Sequence, residues 1–173
     1  QFTMVKEDYW QRNQEFLSLN QAGTLPVLQE ASNLIIAGIY PITEYFHEKY
    51  PNFNFMDEDF DIRCEIRRLL SWFNEKFYRE VTKIIIDEKI VRPSCQLGGP
   101  RTDFLRAAKT NLPHHLNYMS NLLELRSFIA SNSLSCADIA AACHISVLDY
   151  FGEVNWDKWS SIRHWYAIVK SRP

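Results

Sequence analysis

Apolar residues recur every three or four positions along two long stretches of the chain. The first stretch carries Ile62, Ile66, Leu69, Leu70, Phe73, Phe77, Val81 and Ile84. This spacing puts the side chains on one face, so the sequence predicts a long amphipathic helix. The second stretch carries Phe104, Ala108, Leu112, Leu116, Met119 and Leu123. Pro113 interrupts it and removes one backbone donor, which predicts a kink near residues 109–113.

Two shorter helical patterns follow toward the end of the chain. The run "SCADIAAACHISVLDYF" predicts a helix with an inward face made of Ile139, Cys143, Ser146, Val147 and Tyr150. The run "WSSIRHWYAIVKSR" predicts a short helix with an inward face made of Ile162, Trp165, Tyr166 and Val169. Everything after residue 60 is therefore expected to be helical.

The first 51 residues show a different order: strand, helix, strand, strand, helix. A first strand is expected to end at Val5, and a short helix follows over "DYWQRNQEFLSLN". The run "LPVLQEASNLIIAG" predicts a hairpin with a polar turn, and "PITEYFHEKYP" predicts a helix. We expect an α/β domain over residues 1–51, a linker over 52–60 and an all-helical domain over 61–173.

Composition and charge narrow the function classes. The 173 residues are 46% hydrophobic, which suits one or two globular domains. A net charge of −2 with mixed signs argues against nucleic acid as the main partner. No apolar run approaches the roughly 20 residues of a membrane span, and the four cysteines lack metal-site spacing. These features predict a soluble cytoplasmic protein, and the abrupt beginning and end suggest that both ends are trimmed.

No arrangement of reactive side chains predicts catalysis or a metal site. His114 and His115 point about 100° apart on a helix, so they cannot share a metal ion. Asp149 and Glu153 could pair as carboxylates, although one turn apart at a helix end they suit a solvated position better. No Ser/His/Asp order or phosphate-binding loop is visible.

The segment "NQAGTLPVL" and the box "SLSCAD" resemble the glutathione transferase superfamily over nearly the whole chain. The resemblance implies a thioredoxin-like α/β unit, lacking its first strand and helix, followed by the family's all-α domain. It implies a cis bond at Pro26, which turns the backbone of Leu25 toward glutathione; a tight strand entry with no ligand is the alternative. It also implies that Ser135 and Asp138 form a capping box at the core helix.

The residues expected to hold the charged end of glutathione are absent. The family places an acid and a serine at the start of the helix after the hairpin, and Gly38 and Ile39 align there. Pro41 also removes one amide of this helix N-terminus. Losing two charge-assisted hydrogen bonds, each worth roughly 1.5–3 kcal/mol, should weaken binding a hundredfold or more. Thr43 and Glu44, one turn later, are the alternative ligands.

Two further stretches, Trp72–Ile90 and Ser146–Pro173, resemble a bacterial subgroup whose best-understood member binds filaments of FtsZ, a tubulin-like GTPase. The resemblance implies a homodimer that shapes FtsZ filaments without conjugating glutathione. The candidate partner-binding residues are Tyr150, Phe151, Trp156 and Trp159, although these rings could instead close the helical core. The candidate dimer interface is Arg68, Phe73 and Phe77, which could instead lie on a solvated face.

Three functions follow from these expectations. The first is a non-catalytic dimeric scaffold that binds FtsZ polymer and needs no cofactor. The second is a glutathione-dependent transferase whose activating hydroxyl comes from a segment that this sequence does not contain. The third is an interaction module of another assembly, since this fold is often appended as a docking unit.

Overall fold

The computed structural model describes residues 2–50 and 55–172. The chain divides into two compact units, Gln1–Phe53 and Asn54–Pro173. The first unit combines helices with a small sheet, and the second is all-helical in its described part, as the hydrophobic pattern predicts. The linker expected over residues 52–60 stays a prediction, because residues 52–54 lie outside the described part.

The first unit is organised around one antiparallel hairpin. Strands β1 (Val27–Gln29) and β2 (Ile35–Ala37) pair with Leu28 opposite Ile36. Helix α1 (Gln14–Leu19) precedes the hairpin and helix α2 (Ile39–Lys49) follows it. The Lys49 ammonium lies 3.0 Å from the Glu30 carboxylate, which ties the hairpin turn to the end of α2. The predicted hairpin and the helix after it are confirmed.

Two predictions for the start of the chain are wrong. Residues 2–8 form no strand, and the side chains of Phe2, Met4 and Val5 are exposed. A strand needs a neighbouring backbone for its amides and carbonyls, and the described residues place none beside this segment. The helix expected over residues 8–20 is split into a short turn, Tyr9–Gln11, and α1, because Arg12 adopts a left-handed φ of 53°.

A single long helix dominates the second unit. It runs through α3 (Phe60–Ser71), a π-helical segment (Trp72–Thr82), α4 (Lys83–Ile86), a second π-helical segment (Asp87–Val91) and α5 (Arg92–Ser94). The Asp59 side chain caps its start by accepting from the amides of Asp61 and Ile62 at 2.8 and 3.1 Å. The predicted amphipathic helix is confirmed, with wider turns that the apolar spacing did not indicate.

Three more helices complete the second unit and its core. They are α6 (Thr102–Leu125), α7 (Cys136–Tyr150) and α8 (Ser160–Lys170). Pro113 lies inside α6, and the kink expected there stays a prediction. In α8 the side chains of Ile162, Trp165 and Tyr166 are buried and Val169 packs against them, as predicted.

The inward face predicted for α7 is wrong. Ile139, Cys143, Ser146 and Tyr150 are exposed and Val147 is only partly buried. The buried face is instead made of Ala137, Asp138, Ala140, Ala141, Ile145 and Leu148. Three alanines on this face let α7 approach its neighbours closely, and Ile145 and Leu148 fill the core beside them.

The Asp138 carboxylate is fully buried and joins three parts of the second unit. One oxygen accepts from the Ser135 amide at 2.9 Å and the Ser135 hydroxyl at 2.7 Å, within the expected capping box. The other oxygen accepts from the Ile129 amide at 2.8 Å and from the Trp165 indole at 2.9 Å. The carboxylate therefore fixes the start of α7 against the preceding loop and against α8.

We expect Asp138→Ala to lower the free energy of unfolding by about 3 kcal/mol or more, because buried donors lose their acceptor. Ser135→Ala should cost about 1 kcal/mol, since it removes one cap contact. The exposed Asp157→Ala is the matched control and should stay within about 0.5 kcal/mol. Urea unfolding measures all three, and an Asp138→Ala protein as stable as the control would contradict the assignment.

The surroundings of His144 predict that stability depends on pH. Its ring packs near Phe73 and Phe77, and its Nδ1 lies 3.1 Å from the Thr82 hydroxyl. Burial lowers the pKa of His144 from 6.5 to about 4. Because the unfolded chain binds this proton more tightly, stability should be complete above pH 6.5 and fall as the pH drops toward 4.

Urea unfolding at pH 7.5, 6 and 5 tests this dependence. We expect His144→Gln to lose less stability than the parent protein between pH 7.5 and 5, because the variant has no imidazole to protonate. Some acid sensitivity should remain, since burial also lowers the pKa of His115. Parallel pH profiles for the two proteins would show that His144 does not titrate in this way.

Candidate functional site

The first candidate site lies where the hairpin meets α2. The Leu25–Pro26 peptide bond is cis, as the resemblance implies. The Pro26 carbonyl accepts from the Gly38 amide at 2.9 Å, so the end of the hairpin and the start of α2 are held together. This contact brings Leu25, Pro26, Gly38 and Ile39 to one place within the first unit.

Gly38 occupies the position before the first turn of α2 and cannot be replaced freely. Its φ is 98°, a backbone conformation that residues with a side chain rarely adopt. An acidic side chain at this position would therefore carry backbone strain in addition to whatever it bound. The positive φ favours glycine at position 38. Because glycine has no side chain, the carboxylate expected to face the ammonium group of glutathione is missing.

The first turn of α2 is also poorly suited to a carboxylate ligand. Ile39 presents a partly exposed hydrocarbon side chain, and Pro41 occupies the third helical position without an amide proton. The Thr43 hydroxyl, one of the alternative ligands, donates to the Ile39 carbonyl at 2.8 Å inside the helix. Leu25 adds a further exposed apolar side chain. A charged ligand head would face mostly hydrocarbon here, at a cost in desolvation.

The second candidate site is the aromatic segment after α7. Phe151 and Trp159 pack against the hydrophobic core of the second unit. The Trp156 indole donates to Asp149 at 2.9 Å and stacks on Tyr166 with ring centroids 5.6 Å apart. Three of the four predicted partner-binding rings thus close the end of the core, which was the alternative interpretation. Tyr150 differs, because 83% of it is exposed.

The turn that carries this segment has a defined backbone. The Glu153 amide donates a hydrogen bond to the Leu148 carbonyl at 2.9 Å, and the Gly152 amide donates one to the Asp149 carbonyl at 3.0 Å. With Gly152 at a φ of 66°, these bonds form a Schellman motif at the end of α7. The turn therefore sets the direction in which Tyr150 and Glu153 leave the helix.

Glu153 is a residue whose role the sequence did not reveal. Its side chain is only 7% exposed and lies 2.6 Å from the Lys89 ammonium and 3.4 Å from the Lys109 ammonium. The solvated position expected for Glu153 is wrong, because the Schellman turn folds it back onto the bundle. The two lysines come from the long helix and α6, too far along the chain for any local pattern to signal them.

Two of the three residues predicted for a dimer interface are not available to a second subunit. Phe73 and Phe77 are fully buried in the core of the second unit, so this part of the prediction is wrong. An amphipathic stripe marks a buried face, and here the same chain covers it. Arg68 lies at the surface, where its Nε is 2.7 Å from the Glu65 carboxylate and one Nη donates to the Tyr118 hydroxyl at 2.6 Å.

Among the described residues, the remaining reactive groups form no further centre. The His115 ring lies 2.8 Å from the Glu80 carboxylate and packs against Phe77. Across residues 2–50 and 55–172, no group of histidine, cysteine or acidic side chains could hold a metal ion. All four cysteines are free thiols. No helix in the described part is long and apolar enough to span a membrane.

Known proteins resemble this chain in both sequence and structure. FtsZ-localized protein A of Caulobacter vibrioides is 38% identical over 99% of this chain and 77% of its own length. The structure of FzlA from C. crescentus covers 100% of this chain and 78% of its own, with 37% identity and a TM-score of 0.95. A glutathione S-transferase structure from Rhodospirillum rubrum F11 covers 98% of this chain and 76% of its own, with 42% identity and a TM-score of 0.94. No protein-family model matches the chain.

These similarities define the class of protein. The fold is that of the glutathione S-transferases, a thioredoxin-like unit followed by an all-helical unit. Within that class, the chain belongs to the family of FtsZ-localized protein A.

We expect the protein not to bind glutathione at micromolar concentration in isothermal titration calorimetry. The reason is the loss of the acid and the hydroxyl at positions 38 and 39, which should weaken binding by about a hundredfold or more. Ile39→Ser restores only one of these groups and should not restore micromolar affinity. A glutathione transferase titrated in parallel is the positive control, and a micromolar affinity of the parent chain would contradict the prediction.

Proposed function

We propose that this protein is a non-catalytic scaffold on the glutathione transferase fold that associates with FtsZ filaments during bacterial cell division. The observation that carries the proposal is 38% identity to FtsZ-localized protein A over 99% of the chain. The resemblance of FzlA over 100% of the chain, with a TM-score of 0.95, supports it. FtsZ is a cytoplasmic protein, so the proposal implies a cytoplasmic location, in line with four free cysteines.

The glutathione site supports a role other than conjugation. Gly38 offers no charge, Ile39 offers no hydroxyl and Pro41 offers no amide where the superfamily holds the ligand. The hydrogen bond from the Gly38 amide to the Pro26 carbonyl holds the hairpin against α2 and involves no ligand. On this proposal, the unit has kept its architecture while its ligand contacts have been lost.

A homodimer would make such a scaffold more effective. Two copies of one binding surface can engage neighbouring subunits of a polymer, and this bivalency strengthens weak binding by about a hundredfold or more. Arg68 remains a candidate for the subunit interface because it is at the surface. Sedimentation equilibrium tests dimerisation, and a monomer at the concentration used for filament binding would remove this part of the proposal.

Co-sedimentation with FtsZ tests the main proposal. We expect the protein to pellet with FtsZ assembled in GTP and to stay in the supernatant with FtsZ held in GDP. Bovine serum albumin in the same tubes controls for trapping. If the parent protein stays in the supernatant with assembled FtsZ, the scaffold proposal fails, and capture of another assembly from cell extract becomes the next experiment.

A glutathione transferase is the second candidate function. It is favoured by 42% identity to the Rhodospirillum rubrum structure, which is described as a glutathione S-transferase. Retention on glutathione resin together with turnover of a chlorinated aromatic substrate would support this candidate. Absence of both, alongside pelleting with FtsZ, would favour the scaffold.

A further inference from the structure

We propose that Tyr150 is the side chain that contacts the FtsZ polymer, and that Glu153 positions it by binding Lys89 and Lys109. This inference rests on the proposed association with FtsZ. It assigns the contact to one residue of the aromatic segment and predicts which groups the partner surface carries. That surface should combine a slot for a phenol ring with flanking carboxylates.

Exposure singles out Tyr150. It is 83% exposed, while Phe151, Trp156 and Trp159 pack against the core of the second unit. Tyrosine is enriched among the residues that dominate protein interfaces, because it offers a large ring and a hydroxyl at low entropic cost. A partner that covers the ring should gain roughly tenfold or more in affinity from that contact alone.

The backbone below Tyr150 is held in one conformation. The hydrogen bonds of the Schellman motif, from the Gly152 and Glu153 amides, end α7. The Trp156 indole donates a hydrogen bond to Asp149, the residue before Tyr150. The Tyr150 and Phe151 rings meet edge to face with centroids 5.0 Å apart. A contact residue that is already ordered loses less entropy on binding than one on a flexible loop.

Ion pairs of Glu153 also stabilise the turn that follows Tyr150. Its carboxylate binds Lys89 of the long helix and Lys109 of α6, so the turn is tied to two separate helices. The Lys89 ammonium also lies 5.0 Å from the centre of the Phe151 ring, against which Tyr150 packs. A continuous set of contacts therefore links Glu153 to Tyr150. Through them, Glu153 acts as a positioning residue.

The charges around Tyr150 favour an acidic partner surface. One carboxylate, Glu153, faces two ammonium groups, which leaves one positive charge in excess. Lys109 is 60% exposed, and Lys170, 3.8 Å from Asp149, is 66% exposed. We expect these exposed ammonium groups to pair with carboxylates of the docked protein. Binding through this surface should therefore weaken as the salt concentration rises.

Binding titrations by co-sedimentation test the contact residue. We expect Tyr150→Ala to raise the Kd for assembled FtsZ about tenfold, and Tyr150→Phe to raise it less than threefold. Phe60→Ala is the matched control, since Phe60 is also a highly exposed aromatic residue, at 67%, but begins the long helix. Unchanged binding by Tyr150→Ala, or an equal loss in Phe60→Ala, overturns the inference.

A double-mutant cycle tests the positioning role. Glu153→Gln and Lys89→Met should each weaken binding about threefold or more in the parent protein, since Lys89 joins Glu153 to the Phe151 ring. Neither change should weaken binding further in a Tyr150→Ala background, because both act through that ring. A separate, additive loss indicates a general structural effect and overturns the role assigned to Glu153. Lys89→Met keeps the test valid if Glu153→Gln does not fold.

The outcomes separate this inference from the function beneath it. A parent protein that never pellets with FtsZ removes the proposed function and the inference together. If the Tyr150→Ala variant pellets with FtsZ as well as the parent protein does, the inference fails and the proposed function stands. If Tyr150→Ala instead converts a dimer into a monomer without FtsZ, the surface belongs to a second copy of the chain, and the inference is again overturned.

Discussion

The buried carboxylate of Asp138 is the contact on which the second unit most depends. A charged group removed from water is tolerated only when its hydrogen-bonding capacity is filled, and Asp138 accepts from the Ser135 amide and hydroxyl, the Ile129 amide and the Trp165 indole. These donors come from the helix start, the loop before it and α8. Only one placement of α7 satisfies them all, so this residue sets which face of the helix enters the core.

The orientation that Asp138 imposes explains where the surface lies. Ala141, Ile145 and Leu148 follow Asp138 at helical spacing and are buried, which turns Ile139, Cys143 and Tyr150 outward. The far end of α7 is held by the Schellman motif and by Glu153 between two lysines. A helix fixed at both ends presents a constant outer face. Tyr150 is exposed because burial of the opposite face of α7 turns its side chain outward, not because the segment is flexible.

The sequence predicted most of the fold and less of the candidate sites, for physical reasons that particular residues show. Helical periodicity identified the long helix and α8, because burial of one face leaves a repeat in the sequence. The same periodicity misassigned α7, since large apolar residues were expected inside and close packing needed alanine. It could not show that the chain's own core, and not a second subunit, covers Phe73 and Phe77. Glu153 was missed because Lys89 and Lys109 lie 64 and 44 positions away.

In the first unit, the positions expected to bind glutathione are separate from the backbone contacts that hold the hairpin against α2. The hydrogen bond from the Gly38 amide to the Pro26 carbonyl is a backbone contact that joins the hairpin to α2. The groups that would recognise a charged ligand are side chains at 38 and 39 and an amide at 41, and none of these supports the backbone. The absence of an acid, a hydroxyl and an amide proton at these three positions is therefore compatible with a folded unit. A positive φ at Gly38 then opposes the return of an acid, because any side chain there strains the start of α2.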